Sequence, residues 1–386
     1  MKRGKYLLSI SILLIFITGI LTSFPGCGKK DKKDEPGIEV YKIGAVLPRS
    51  GTQSYFGDES KAGIELAEKE LRDGLKEKGV ELEIIYEDSQ NIPDKAASAA
   101  LNLLNVKKVN CLISLFPMCP VVNGVTQGKN VLHMAATMSP GIAKPQNTLQ
   151  IYPSQVEEAQ KMIAYMESIK AQKVAIFHLT VKAHEETAAY IRPVLEKAGI
   201  ENFTETMAFT DVDAKTQMQK IKDFKPDLLM LILLPDFHQK VFKAIHDVGG
   251  LPENCKIIGN ISFLYPSPET PSEWLENVVF VAPKPFIGGV TLAEEFQKTF
   301  KEQAKMEPTI VSTFLYINIK ILAEALLNGN TSSQDIINFL TATKTKFKTV
   351  AGEIEFLPDG SCTVSLGYGV IKDGKRLPFT LGQPKD

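Results

Sequence analysis

Five cysteines, five histidines and a few polar residues at the ends of apolar runs are the side chains of this 386-residue chain best suited to chemistry. The cysteines are Cys27, Cys111, Cys119, Cys255 and Cys362. They form no Cys-x-x-Cys pair and no Cys/His spacing of a zinc site, so no metal is expected. Nothing beside Cys119 in sequence would lower its pKa, so a reactive thiol there has no support. Cys111 lies in an apolar run and reads as a small hydrophobe. The four cysteines after Cys27 allow three full pairings, and the sequence does not choose among them. Asp236 and His238 follow a long apolar run and either line a cleft or stand in a solvated loop. No GxSxG elbow, phosphate-binding GxxxxGK[ST] loop or HExxH helix occurs. Gly367-Tyr368-Gly369 sits in a strand pattern, with no helix after it to hold a dinucleotide. The expectation is therefore a protein that binds without covalent chemistry: not an enzyme, and with no cofactor.

Charge narrows the partners. Lys and Arg number 44 against 45 Asp and Glu, which excludes a broad nucleic-acid-binding face. With 44% hydrophobic and 23% charged residues, the chain can bury a large core. The N-terminus is different. Lys2, Arg3 and Lys5 precede the uncharged, Leu- and Ile-rich stretch from Tyr6 to Phe24. This is the layout of a secretory signal, and it is also long enough to remain as a membrane anchor. Pro25-Gly26-Cys27-Gly28 at its end resembles the bacterial lipoprotein signal, which implies lipidation of Cys27. The usual Leu and Ala or Ser before the cysteine are Phe24 and Pro25 here. Residues 28–37 are mostly charged and form a solvated tether. The expected arrangement is a signal over 1–26, a tether over 27–37 and an exported body held to the membrane. That places it in the periplasm or on the outer face of the cytoplasmic membrane.

The body alternates short apolar runs with longer amphipathic ones. Strands are expected at 43–47, 80–86, 109–116, 131–135, 173–177, 203–209, 227–234, 256–259 and 278–282. Between them the spacing predicts helices over 60–76, 94–105, 121–128, 155–169, 185–198, 214–224 and 237–248. Residues 292–345 read as mostly helical and 352–371 as a hairpin turning at Pro358-Asp359-Gly360. Such alternation means α/β lobes with parallel sheets covered on both faces. There are too many units for one ordinary sheet, so two similar Rossmann-like lobes are expected. Open α/β sheets bind ligands at the carboxyl ends of their strands.

Tyr41 to Gly57 reads YKIGAVLPRSGTQSYFG: a strand, Pro-x-Ser-Gly, then an aromatic-Gly pair opening a helix. Asp88-Ser89 follows the second strand, and Ala136-Thr137 with Pro140 the fourth. Near the C-terminus come Gly352-x-Ile354-x-Phe356, Asp359-Gly360 and Val370 to Lys375. In this order and spacing, over residues 39–378, the chain resembles the branched-chain amino-acid-binding family of type I periplasmic solute-binding proteins. That resemblance implies two lobes joined by three hinge crossovers near 150–154, 281–286 and 349–353. Lobe one would be 38–151 plus 284–350, and lobe two 152–283 plus 351–386. It further implies a monomer that closes on a small-molecule ligand and hands it to an inner-membrane ABC permease.

Carried over position by position, the family's ligand site falls on Phe56, Cys119, Pro120, Ala136, Thr137, His184, Asn260 and Ile261, with Met118 and Phe263 adding apolar surface. Several positions depart from the family pattern. Pro120 replaces the serine that meets the ligand carboxylate, and it offers neither N–H nor hydroxyl. Ala183 and Leu234 or Pro235 stand where lobe-two tyrosines would. Asn260 or Ile261 stands where an acid would meet the ligand ammonium. These departures make an apolar or aromatic acid, or an amide, the expected ligand in preference to a zwitterionic amino acid. The alternative implied by the same fold is a ligand-binding sensor or regulator lipoprotein.

Overall fold

Short apolar runs bounded by turn residues become strands, and the amphipathic stretches between them become helices. The computed structural model describes residues 39–51, 53–265, 267, 269–287, 291–342 and 345–382, with the side chains of 291 and 292 excepted. The signal over 1–26, the tether over 27–37 and Cys27 lie outside the described residues.

The described residues begin with β1 (Glu39–Leu47), α1 (Tyr55–Glu77), β2 (Val80–Asp88), α2 (Pro93–Asn102), β3 (Cys111–Leu115), α3 (Cys119–Thr126), β4 (Leu132–Ala136) and β5 (Thr148–Gln150). Its strands form one parallel sheet in the order β2-β1-β3-β4-β5. Next come α4 (Gln155–Ser168), β6 (Lys173–Leu179), α5 (Lys182–Lys197), β7 (Glu201–Met207), α6 (Lys215–Phe224), β8 (Leu228–Ile232), α7 (His238–Asp247), β9 (Lys256–Gly259) and β10 (Val279–Pro283). The chain ends with α8 (Thr291–Ala304), α9 (Ile310–Leu327), α10 (Ser333–Leu340), β11 (Lys346–Thr349), β12 (Gly352–Phe356), β13 (Cys362–Val364), β14 (Leu366–Lys372) and β15 (Lys375–Phe379).

The second sheet has the order β15-β14-β10-β9-β8-β6-β7. It is parallel from β7 to β10, as expected of these lobes, and β14 and β15 add to its edge antiparallel. The hairpin expected over 352–371 stops at β13, and β14 leaves it to pair with β10. β11, β12 and β13 form a separate antiparallel sheet. The expected lobe boundary between 350 and 351 falls in the turn that joins the paired strands β11 and β12.

Both large sheets are buried on both faces. In β6, Val174 and Ile176 join the core shared with α4, while Ala175, Phe177 and Leu179 face the core that holds α6 and α7 residues. In β8, Leu228, Met230 and Ile232 alternate in the same way with Leu229, Leu231 and Leu233. This period-two alternation within an all-apolar run is what a doubly covered parallel sheet requires. Helix α9 is apolar and long enough to cross a bilayer, yet it is a core helix with most of its residues buried.

Although far apart in sequence, α9 packs against α1. Gly63 makes this contact possible, because a Cβ there would fall on the backbone carbonyl of Ser312. Gly57 acts likewise at the start of α1, where a Cβ would strike the Pro48 carbonyl. Its fixed place after Phe56 in the sequence thus has a steric cause. Gly63→Ala is expected to destabilise the protein by about 1–3 kcal/mol in urea unfolding, as overpacking does. Gly74→Ala, on the same helix with open space around it, should be neutral or stabilising by up to about 1 kcal/mol.

Candidate functional site

The carboxyl ends of β1, β3 and β4 carry Pro48–Ser54, Phe116–Met118 and Thr137–Ser139. The first of these loops is held by Asp88 at the end of β2. Its carboxylate accepts the Arg49 N–H at 2.8 Å, the Gln90 N–H at 2.9 Å and the Ser50 hydroxyl at 2.6 Å. Partial burial pushes its pKa up, but these hydrogen bonds outweigh that and hold it below the usual range. Ser50 and Asp88 of the sequence pattern are therefore bonded to each other and form the frame of the loop.

Past this loop, α1 starts with two rings. Tyr55 and Phe56 lie 4.1 Å apart, Phe56 meets Phe116 edge-on at 5.3 Å, and Phe116 meets Tyr152 at 5.8 Å. Tyr152 then packs on Phe314 of α9 at 5.1 Å. This row of rings runs from the mouth of α1 to Tyr152, on the stretch that leaves β5 for α4. The Tyr55 hydroxyl donates a long hydrogen bond of 3.5 Å to Asp236, just past β8.

Two carboxyls stand by Tyr152. Glu59 of α1 accepts the Thr309 hydroxyl at 2.7 Å, and Thr309 is also the N-cap of α9. Glu158, in the first turn of α4, is 2% exposed and accepts the Ile261 N–H at 2.7 Å. Among the described residues neither carboxyl has an ion pair. Burial raises both pKa values to about 7, against the lowering effect of those hydrogen bonds. Burial also raises the Tyr152 hydroxyl well above its ordinary range, with Glu59, Tyr265 and Glu158 adding to the effect. Glu59 and Glu158 thus bear on Tyr152 electrostatically, and each is held by one hydrogen bond, from Thr309 and from Ile261.

Of the residues expected from sequence, Phe56 stands in the row of rings and Ile261 donates its N–H to Glu158. Ala136 is buried at the end of β4, and its carbonyl accepts the Phe116 N–H at 3.1 Å. The Thr137 hydroxyl accepts the Ser139 N–H at 3.3 Å and so caps the turn that follows. Asn260 clamps the strand ends: it accepts the Leu233 N–H at 3.2 Å and donates to the Leu233 carbonyl at 3.0 Å. Cys119 is fully enclosed with Ala135 and Ile142, and burial pushes its thiol up to about 12. Its side chain is in the wall and does not reach the cleft. Pro120 is exposed on the first turn of α3. His184 is buried near His178 with Nδ1 unpartnered, and burial lowers its pKa to about 3. Met118 and Phe263 are core residues, the latter stacked on His238 at 4.1 Å. Cys111, Cys119, Cys255 and Cys362 are all free thiols.

The sequence reading missed Glu59, Tyr152, Glu158 and Tyr265. Glu59 and Glu158 sit in amphipathic helices, where a glutamate ordinarily faces water. Tyr152 lies on an expected crossover, and that placement was the available signal. A separate polar cavity of about 590 Å3 opens between α4 and the small sheet, beside Lys161, Lys284 and Glu353. None of the cleft residues lines it.

The fold and this cleft define a class of two-lobed binding proteins, not of enzymes. The chain belongs to the periplasmic binding protein family, whose model matches residues 40–368. Comparison with curated proteins gives no match. Among solved structures, the leucine-binding protein LivK of Thermotoga maritima superposes with a TM-score of 0.76 at 18% identity, over 88% of this chain and 98% of that one. The branched-chain amino-acid-binding protein LivJ of Streptococcus pneumoniae, in complex with isoleucine, gives 0.76 at 19% identity, over 88% and 98%. A solute-binding protein of an ABC transporter from Rhodopseudomonas palustris, in complex with 3,4-dihydroxybenzoic acid, gives 0.76 at 19% identity, over 88% and 96%. At these identities the likeness establishes the fold: two lobes of the type I periplasmic binding protein kind.

The raised pKa of Glu158 has a consequence for stability. A carboxyl whose folded value of about 7 exceeds its ordinary 4.5 stabilises the fold fully below the lower value and loses that contribution as pH rises through the upper one. Glu158→Gln keeps an acceptor for the Ile261 N–H and cannot ionise. Its stability relative to wild type should therefore improve from pH 5 to pH 8, by up to about 3 kcal/mol in chemical denaturation.

Proposed function

We propose that this chain is the extracytoplasmic solute-binding lipoprotein of an ABC importer. It captures a small molecule between its lobes by hinge closure and delivers it to an inner-membrane permease. Residues 38–151 with 284–350 would form one lobe and 152–283 with 351–386 the other, with the small sheet β11-β12-β13 at the third crossing. Family membership and the ring-lined cleft at the strand ends support this reading. The observation that carries it is the row of rings Phe56–Phe116–Tyr152, which offers a flat apolar body a surface. The relatives of this fold include proteins in complex with isoleucine and with 3,4-dihydroxybenzoic acid. Here Pro120 replaces the carboxylate serine implied by the family pattern, and Asn260 is committed to Leu233. The site therefore suits an apolar or aromatic acid or amide better than leucine. The N-terminal segment supports export and anchoring through a lipid on Cys27.

Full-length protein in detergent should show a higher melting temperature with an aromatic or branched aliphatic acid or amide than with leucine. A ligand at a hundredfold excess over its Kd stabilises by about 2.7 kcal/mol. A larger shift with leucine would return the chain to plain amino-acid uptake. For the anchor, radiolabelled palmitate should enter the wild type and not Cys27→Ala. Equal labelling of both would remove the lipoprotein assignment.

A further inference from the structure

The polar cavity of about 590 Å3 beside α4 shares no lining residue with the cleft, and its volume is that of a small-molecule site. One wall is a stripe of α4, where Glu157, Gln160, Lys161 and Ala164 recur at i, i+3, i+4 and i+7. Another is one side of the small sheet. Strand pairing sets Lys346, Glu355 and Thr363 abreast, and Glu353 lies two residues from Glu355 on the same side. Lys284, at the end of β10, also lines the cavity. Its N–H donates to the Ser365 carbonyl at 3.0 Å. Gly367 leaves room for its stem, since a Cβ there would lie 3.0 Å from the Lys284 Cγ.

Most of the charged groups in this cavity have no partner of opposite sign. Lys346 and Glu353 pair at 3.6 Å. Among the described residues, Lys161, Lys284, Glu157 and Glu355 enter no ion pair. Yet Glu157 and Lys161 are spaced i, i+4 on one helix, and Lys346 and Glu355 are cross-strand neighbours. Lys161 lies over the Tyr368 ring at 5.8 Å instead. One oxygen of Glu157 is buried and has no hydrogen-bond partner. An unpartnered buried acceptor is costly, and a ligand that supplies the donor removes that cost.

The described lining has three lysines and three glutamates, so no net charge draws an anion or a cation. It offers ammonium donors beside carboxylate acceptors, with Gln160, Thr363 and Ser365 able to do both. A hydroxyl answers either kind of group, because it donates and accepts. We propose that this cavity is a second binding site, for a neutral polyhydroxylated molecule such as a mono- or disaccharide. Its hydroxyls donate to Glu157 and Glu355 and accept from Lys161 and Lys284. This goes beyond the solute-binding reading, which concerns the cleft.

Titration of the full-length protein in a sugar-free detergent, followed by saturation-transfer NMR of the added compound, tests it. The sugars are glucose, maltose and trehalose. The charged comparators are succinate, putrescine and glycine betaine. The expected result is at least one sugar binding tenfold or more tighter than every charged compound. Lys161→Met and Lys284→Met, which keep the stems and remove the donors, should each weaken that sugar fivefold or more, with circular dichroism unchanged. A charged compound binding as tightly as the best sugar overturns the inference, as does the absence of binding by all three sugars. Affinity unchanged in either variant puts the sugar elsewhere on the protein and also overturns it.

Discussion

The close approach of α1 to α9 is the contact on which the site depends. It joins the first described helix to one that begins more than two hundred residues later. Gly63 supplies the clearance, since any side chain there would meet the Ser312 carbonyl. The same contact sets Glu59 against Thr309 and carries Phe314 under Tyr152. Without it the row of rings would have no floor and the Glu59 carboxyl no donor.

A second constraint is electrostatic. Glu158 is buried with no ion pair among the described residues, and its ionisation weakens the folded state as pH rises through about 7. An apolar residue of similar volume would stabilise that position more. The long Tyr55–Asp236 hydrogen bond joins the two sides weakly, as suits surfaces that must part to admit a ligand.

Much of this was legible in the sequence. All-apolar runs such as Cys111–Leu115 and Leu228–Ile232 are strands, and the order of units gave two parallel-sheet lobes. The three-residue β5 escaped because Thr148–Gln150 carries no periodic signal, and β15 because its residues are mostly exposed. At the site, sequence position alone could not say which way a strand-end side chain turns. Thr137 and Asn260 lie at such ends, but local backbone groups take up their polar atoms. Glu59 and Glu158 look like solvated helix positions and are withdrawn from water only by contacts distant in sequence: Thr309 with Glu59, and Ile261 with Glu158. Burial of that kind has no local signature.

The most direct measurement is native mass spectrometry of the full-length protein as purified from its own host, followed by denaturation and identification of the released compound. The expected release is one low-mass species with an apolar or aromatic body, an acid or an amide. Release of a zwitterionic amino acid would contradict the proposed ligand class.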